Sequence, residues 1–271
     1  MLVRMKVKYS DTIIKIQKEY DRIFLLSDVH NDFLHYVQMR NVLQWGEKDL
    51  VVMVGDIVDR GGEHADPIHL FQEIRYPENR NYDAILLQGN HEKRLAQMLH
   101  TYLTTGLRNT QSSSVYNTFD LMISELTKVE LKDYMKWLEG LPRWMEMDIG
   151  GYKRKFLISH NLRTAIAVKK GTGEETEEET REETLSEIFS KAKDDKINKM
   201  YTTVTGHIPT FRVRYYAGEY APEETIINTD ILRIGDRLWC IDCGNAYRKG
   251  LDGKLGCIEL SGKGKVKEYY F

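Results

Sequence analysis

The sequence predicts an α/β fold with two sheets, and three observations carry that reading. Five short apolar runs each end abruptly in a cluster of residue types that bind metals. Segments between them show helical apolar spacing. The last third of the chain turns to short alternating segments separated by Gly and Asp, which implies a second sheet.

The runs in order are Ile23-Phe24-Leu25-Leu26, leading into Ser27-Asp28-Val29-His30, and Leu50 to Val54, leading into Gly55-Asp56-Ile57-Val58-Asp59-Arg60-Gly61. Ala84 to Leu87 then precedes Gly89-Asn90-His91-Glu92, Lys155 to Ile158 precedes Ser159-His160-Asn161, and Thr202 to Thr205 precedes Gly206-His207. The first two, almost wholly apolar, read as buried strands. Ligands gather beyond the carboxyl ends of such strands, so five strand ends can serve one site. Between the first two runs, Phe33, Leu34, Val37, Val42 and Leu43 give a helical face, with Asn31 or Asp32 as N-cap. A second helix is expected after Gly62, through Ile68, Leu70, Phe71 and Ile74. Residues 92–141 read as mainly helical, placed where an inserted cap would cover the site. From Lys169 to Lys196 the composition becomes acidic (GTGEETEEETREET), which reads as an exposed insertion. Strands are expected near residues 211–216, 226–234, 237–242, 255–260 and 265–270.

Composition narrows the function classes. With 271 residues and 41% hydrophobic content the chain can close one large core, so a single domain over 1–271 is expected. Its 39 basic and 41 acidic residues leave no broad positive field, so stable nucleic-acid binding is not expected. No apolar run is long enough for a membrane span, and the start (MLVRMKVKYS) lacks a signal-peptide layout, which points to the cytoplasm. Cys240, Cys243 and Cys257 make no disulfide framework. A structural zinc would need a second pair beside the C-x-x-C, and none is present, so these read as small buried residues. His35, His64, His69 and His100 stand outside any motif and read as surface or packing residues, and Tyr247, in the loop after Gly244, reads as loop packing, with a place beside the site as the alternative.

The clusters together supply Asp28, His30, Asp56, Asn90, His160 and His207, a carboxylate, amide and imidazole set of the kind two divalent cations need for phosphoester hydrolysis. The heptapeptide Gly55 to Gly61, the tetrapeptide Gly89 to Glu92, the D-x-H at Asp28 and His30, His160, and Gly206-His207 resemble, in order and spacing, the motifs of the calcineurin-like metallophosphoesterases. Within them they most resemble the phosphoprotein phosphatase family, with its bacterial and phage serine/threonine phosphatases. The likeness runs over roughly residues 23–210, and Ile241 to Gly244 with Gly253-Lys254-Leu255 resembles the closing strands.

The resemblance implies a two-sheet β-sandwich flanked by helices in four αββα layers, with a helical cap insertion at approximately 92–145 and the acidic insertion, densest over 171–187, within one domain. It implies that Asp28, His30 and Asp56 hold one ion and Asp56, Asn90, His160 and His207 the other. The ions would be Mn²⁺, with Fe, Zn, Ni, Co or Mg as substitutes. It implies a bridging metal hydroxide attacking in line, His91 oriented by Asp59 as proton donor, Arg60 gripping the phosphate, and Glu92 supporting near Arg60. Asn90 would also touch substrate. Departures bear on the substrate. Asn31 stands where Gly is usual, Gln88 where eukaryotic members carry Arg, and Asn161-Leu162 where small residues follow the histidine. The second phosphate-gripping arginine is then not placed by motif, and Arg163 is the candidate. A serine/threonine phosphatase-like phosphomonoesterase acting on phosphorylated protein is expected. The alternative is a dinucleoside polyphosphate or other nucleotide hydrolase. A regulatory module that holds metals without turnover is the third reading.

Overall fold

The computed structural model describes residues 1–10, 12–61, 65–108, 117–162, 200–216, 227–234 and 236–271. Arg163, His64 and the acidic stretch 169–196 lie outside the described residues. The elements run β1 (Leu2–Lys8), β2 (Ile13–Glu19), β3 (Arg22–Leu26), α1 (Phe33–Leu43), β4 (Asp49–Met53), α2 (Pro67–Arg75), β5 (Asp83–Leu86) and α3 (Asn90–Thr105). They continue with α4 (Thr118–Glu125), α5 (Lys128–Glu139), β6 (Trp144–Ile149), β7 (Lys155–Ser159), β8 (Tyr201–Thr205) and α6 (Thr210–Tyr216). The chain finishes with β9 (Leu232–Ile234), β10 (Leu238–Cys240), α7 (Arg248–Leu251), β11 (Gly256–Ser261) and β12 (Lys265–Tyr270).

Two sheets result. One has the order β12-β11-β3-β4-β5, and the other β2-β1-β6-β7-β8-β10-β9. In the first, β3, β4 and β5 are parallel neighbours, and in the second β7 pairs in parallel with β8 and β8 with β10. Alternation builds the layer between them. Val3, Met5 and Val7 of β1, and Met145, Met147 and Ile149 of β6, face Ile23, Leu25, Leu50 and Val52 across a shared core. Because β3 and β4 are buried on both faces, their sequences are continuous apolar runs. Their other face, with Phe24, Leu26, Val51 and Met53, packs against α1 to α5 through Met39, Phe71, Leu95, Leu99, Phe119 and Leu138. Each such fully buried side chain contributes about 1.5–3 kcal/mol. On the outer side of the second sheet, Val213 of α6 packs on Leu232, Leu238 and Cys240.

Local signals explain the helix starts. Asp32 caps α1 by accepting the His35 N–H at 3.2 Å, and Asp66 caps α2, where Pro67 sits in the first turn. Thr127 and Glu130 form a capping box on α5. The expected strand at 211–216 is corrected: residues Thr210–Tyr216 form helix α6. Pro209 cannot continue a strand ladder, and its carbonyl accepts the N–H groups of Arg212 and Val213, so the FRVRYY alternation buries Thr210 and Val213 at helical spacing instead. The strand expected over 226–234 is described only as the short β9. Strands β1, β2 and β6 were not anticipated. No helix among the described residues is long and apolar enough to cross a membrane, and all three cysteines are free and buried.

Candidate metal centre

The carboxyl ends of parallel strands from both sheets deliver the candidate residues to one place. Asp28 and His30 follow β3, Asp56, Asp59 and Arg60 follow β4, Asn90 and His91 follow β5, His160 follows β7 and His207 follows β8. The turns are tight and strained. Of the ten non-glycine residues with positive φ among the described residues, seven are here: Asp28, His30, Asn31, Asp56, Asp59, Arg60 and His207. Each costs about 1–3 kcal/mol, a cost concentrated at this site rather than spread over ordinary loops.

Asp28, His30 and Asp56 offer ligand atoms all within 4.8 Å of one another, and so do Asp56, His160 and His207. Asp56 belongs to both groups. Asn90 joins the second, its Oδ1 3.0 Å from His160 Nε2, which also lies 3.2 Å from Asp56 Oδ2. The imidazole tautomers follow from their partners. A carbonyl can only accept, so the 3.0 Å contact of His30 Nδ1 with the Val58 oxygen puts the proton on Nδ1. The same holds for His160 Nδ1 and the Val54 oxygen at 2.7 Å. Both rings therefore direct Nε2 toward the carboxylates, the atom that would bind an ion, with the other nitrogen fixed as metal-ligating histidines require. Close approach demands glycine at two points. A Cβ on Gly206 would collide with Ser27 Oγ and Asp28 Oδ2, and one on Gly89 with Asp56.

The electrostatics show what the cage suits. Burial pushes the Asp28 carboxyl up to about 7, against the pull of His160 and with help from the Asp56 charge. Burial and the Asp28 charge hold Asp242 well above the usual carboxylate range. Burial lowers His30 to about 3, and burial with the His160 charge lowers His207 to about 4. His160 goes the other way: burial opposes it, but Asp56 lifts it to about 10, and His160 and His91 in turn hold Asp56 well below its usual range despite burial. Buried carboxylates that repel one another, beside the two imidazoles His30 and His207 that burial holds neutral, are a donor set suited to cations.

Beside the cage, His91 Nδ1 donates to Asp59 Oδ2 at 2.7 Å while its Nε2 lies 3.9 Å from Asp56 Oδ2. Burial works against the His91 proton, but the charges of Asp56 and Asp59 raise the ring above its usual value. Arg60 is half-buried, and its charge is felt at His30, His91 and His207, so it faces the same space. Glu92 is fully buried beneath the loop that carries Asp56 and Arg60. Its carboxylate accepts the N–H groups of Asp56, Ile57 and Gly89 at 2.8–2.9 Å, tying two loops together.

Three participants escaped the sequence reading. Asp242 sits at the end of β10, its Oδ1 accepting the Gly244 N–H at 2.8 Å, and the apolar run before it repeats the pattern of the other five. Thr118, fully buried, accepts the Asp59 N–H at 2.7 Å and donates its own N–H to Asp59 Oδ1 at 3.1 Å. Neighbouring Asn117 donates to the Arg60 carbonyl at 2.8 Å. No local pattern marks these two. Tyr247 lies beside the site, its ring 5.6 Å from the Arg60 guanidinium while it also packs on Phe211.

The sequence profile of the calcineurin-like phosphoesterases matches residues 21–236. The chain belongs to the calcineurin-like phosphoesterase family. As a metallophosphoesterase it is a metal-dependent phosphoester hydrolase with a mixed α/β, two-sheet fold. No match was found among curated proteins. Solved structures similar to this metallophosphoesterase include a protein assigned as a diadenosine tetraphosphatase, at 13% identity over 92% of this chain and 93% of that one, TM-score 0.48. A protein serine/threonine phosphatase from Saccharomyces cerevisiae is similar at 13% identity over 93% and 79%, TM-score 0.48. A cold-active protein-tyrosine phosphatase from Shewanella is similar at 15% identity over 97% and 97%, TM-score 0.43.

Proposed function

We propose that this metallophosphoesterase hydrolyses phosphomonoesters, phosphoserine and phosphothreonine in proteins among them, at two divalent ions held by Asp28, His30, Asp56, Asn90, His160 and His207. The observation that carries the reading is the carboxylate of Asp56, shared by both donor groups. Ions there, Mn²⁺ on this reading, would neutralise phosphoryl oxygens and lower the pKa of a bound water.

The chain's own residues account for the rest. Arg60, in reach of the same space, presents forked donors to the phosphoryl oxygens. The Asn90 amide adds a donor beside His160. His91 hands a proton from Nε2 to the leaving oxygen, and Asp59, bonded to Nδ1, keeps the ring oriented and its basicity raised. Thr118 and Asn117 hold the backbone of Asp59 and Arg60 in place.

The test is reconstitution of the purified chain with Mn²⁺ and a panel of an aryl monoester, a phosphopeptide, a diester and a dinucleoside polyphosphate. Phosphate release from the monoester and the peptide is expected, with two ions per chain, both lost in Asp56→Asn. Failure to release phosphate from any ester, or full activity in Asp56→Asn, overturns the proposal. A diphosphate product with negligible peptide turnover would replace the protein substrate with a nucleotide.

A further inference from the structure

Arg60 is not the only cation at this site. Helix α6 leaves directly from the loop that carries His207, and the Thr210 N–H donates to the Asp242 carbonyl at 2.8 Å, which seats the helix against the end of β10. Two residues on, Arg212 reaches the same aromatic ring as Arg60: its guanidinium lies over Tyr247 at 5.8 Å, against 5.6 Å for Arg60. Phe211 meets the Tyr247 ring edge-on at 5.8 Å and also packs on Gly244. The ring is thereby fixed by α6 on one side and by its own turn, Asn245–Tyr247, on the other.

Among the described residues, no carboxylate pairs with Arg60 or Arg212. Two guanidinium groups around one ring repel each other, and the ring's negative face offsets only part of that repulsion. Several arginines elsewhere sit against a carboxylate: Arg22 with Asp49, Arg40 with Glu73, Arg75 with Asp133 and Arg248 with Asp32. Two guanidinium groups over one ring, neither paired with a carboxylate among the described residues, at the rim of a site that takes an anion, are an arrangement for binding oxyanions.

Resting on the phosphoesterase reading of the metal cage, we propose that Arg212 and Tyr247 form an outer subsite for a second oxyanion of the substrate, one ring away from the phosphoryl group gripped by Arg60. The preferred substrates are phosphoesters that carry a further phosphate or carboxylate close to the scissile phosphoryl group. Arg212 is a specificity-determining residue, and Tyr247 positions both guanidinium groups. The exposure of Arg212 suits a group that meets the outer part of a ligand.

Equilibrium binding separates this subsite from turnover. The full chain, loaded with Mn²⁺ and carrying His91→Asn so that ligand is not consumed, is titrated with phenyl phosphate, adenosine 5′-diphosphate and a phosphoserine–aspartate peptide. The first has one oxyanion, the second adds a phosphate, and the third adds a carboxylate. Adding Arg212→Ala is expected to weaken at least one of the two-oxyanion ligands about ten-fold more than phenyl phosphate, the size of one lost charge-assisted contact. Arg212→Lys should recover part of the loss, and Arg212→Gln, which keeps the length and removes the charge, should not. Equal weakening of all three ligands, or weakening of none, overturns the subsite. The same variants in the His91 background-free enzyme, read as kcat/KM, show whether the preference reaches turnover. A chain that binds with this selectivity but releases phosphate from no ester would keep the subsite and sink the hydrolase reading. A chain that hydrolyses phenyl phosphate without the selectivity would do the reverse.

Discussion

Replacing Thr118 by valine tests whether a residue invisible in the motifs organises the site. The side chain is fully buried, and valine keeps its shape while removing the hydroxyl. Two buried donors then lose their acceptor: the Asp59 N–H, 2.7 Å from Oγ1, and Asn31 Nδ2, 2.8 Å away. A buried donor left unmade costs about 1–3 kcal/mol. Asn31 keeps a long contact, 3.5 Å, to Asn117 Oδ1, so its share falls at the low end. The expected loss is about 2–4 kcal/mol in urea unfolding at neutral pH. Thr118→Ser, which keeps the hydroxyl and loses one methyl, should cost about 1 kcal/mol. Because Asp59 orients His91, Thr118→Val should also lower kcat by about 10- to 100-fold, the usual effect of removing an outer partner. Stability within 0.5 kcal/mol of the unaltered chain, or a serine variant as damaged as the valine one, would refute the reasoning.

Glu92→Gln replaces a carboxylate that accepts three N–H groups by an amide with one acceptor oxygen, and should lose about 2–4 kcal/mol in the same unfolding assay; an unchanged midpoint would show that the loops hold without it. Gly206→Ala forces a Cβ into Ser27 and Asp28, so thermal melting should show a loss of about 3 kcal/mol or more, together with lost metal uptake. Gly46→Ala, which meets nothing within 4 Å, should be close to neutral by the same measurement, and parity between the two variants would be the contrary result. Asp83 ties the edges of the two sheets together by accepting from Tyr20 Oη and Lys18 Nζ, and although burial opposes it, these bonds hold its carboxyl below the usual value. The resulting stabilisation is present above an unfolded value of about 3.9 and is lost as pH falls through the lower folded value. The stability gap between the unaltered chain and Asp83→Asn, about 0.5–1 kcal/mol at neutral pH, should therefore close on acidification; a gap that widens toward low pH would contradict this sign.

The sequence by itself determined the strands that carry function and the chemistry of their ends. Runs such as Ile23 to Leu26 and Leu50 to Val54 are apolar without alternation because both faces are buried, and the polar clusters begin where the sheet stops. That pattern is local, so it can be read without coordinates. The helical faces of α1 and α3 to α5 were legible for the same reason. Tertiary structure alone decided the rest. Residues Thr210–Tyr216 alternate like a strand, yet the preceding proline and the surface offered by Leu232, Leu238 and Cys240 make them a helix. Strands β1 and β6 carry the period-two alternation of half-buried strands, but their pairing joins positions more than a hundred residues apart, which no local pattern reveals. Thr118 reaches Asp59 and Tyr247 reaches Arg60 only after the chain has folded. Contacts between residues far apart in sequence leave no local periodicity, since each partner's own neighbours are chosen by other constraints; only the packed sheets bring them within hydrogen-bond and ring-stacking distance.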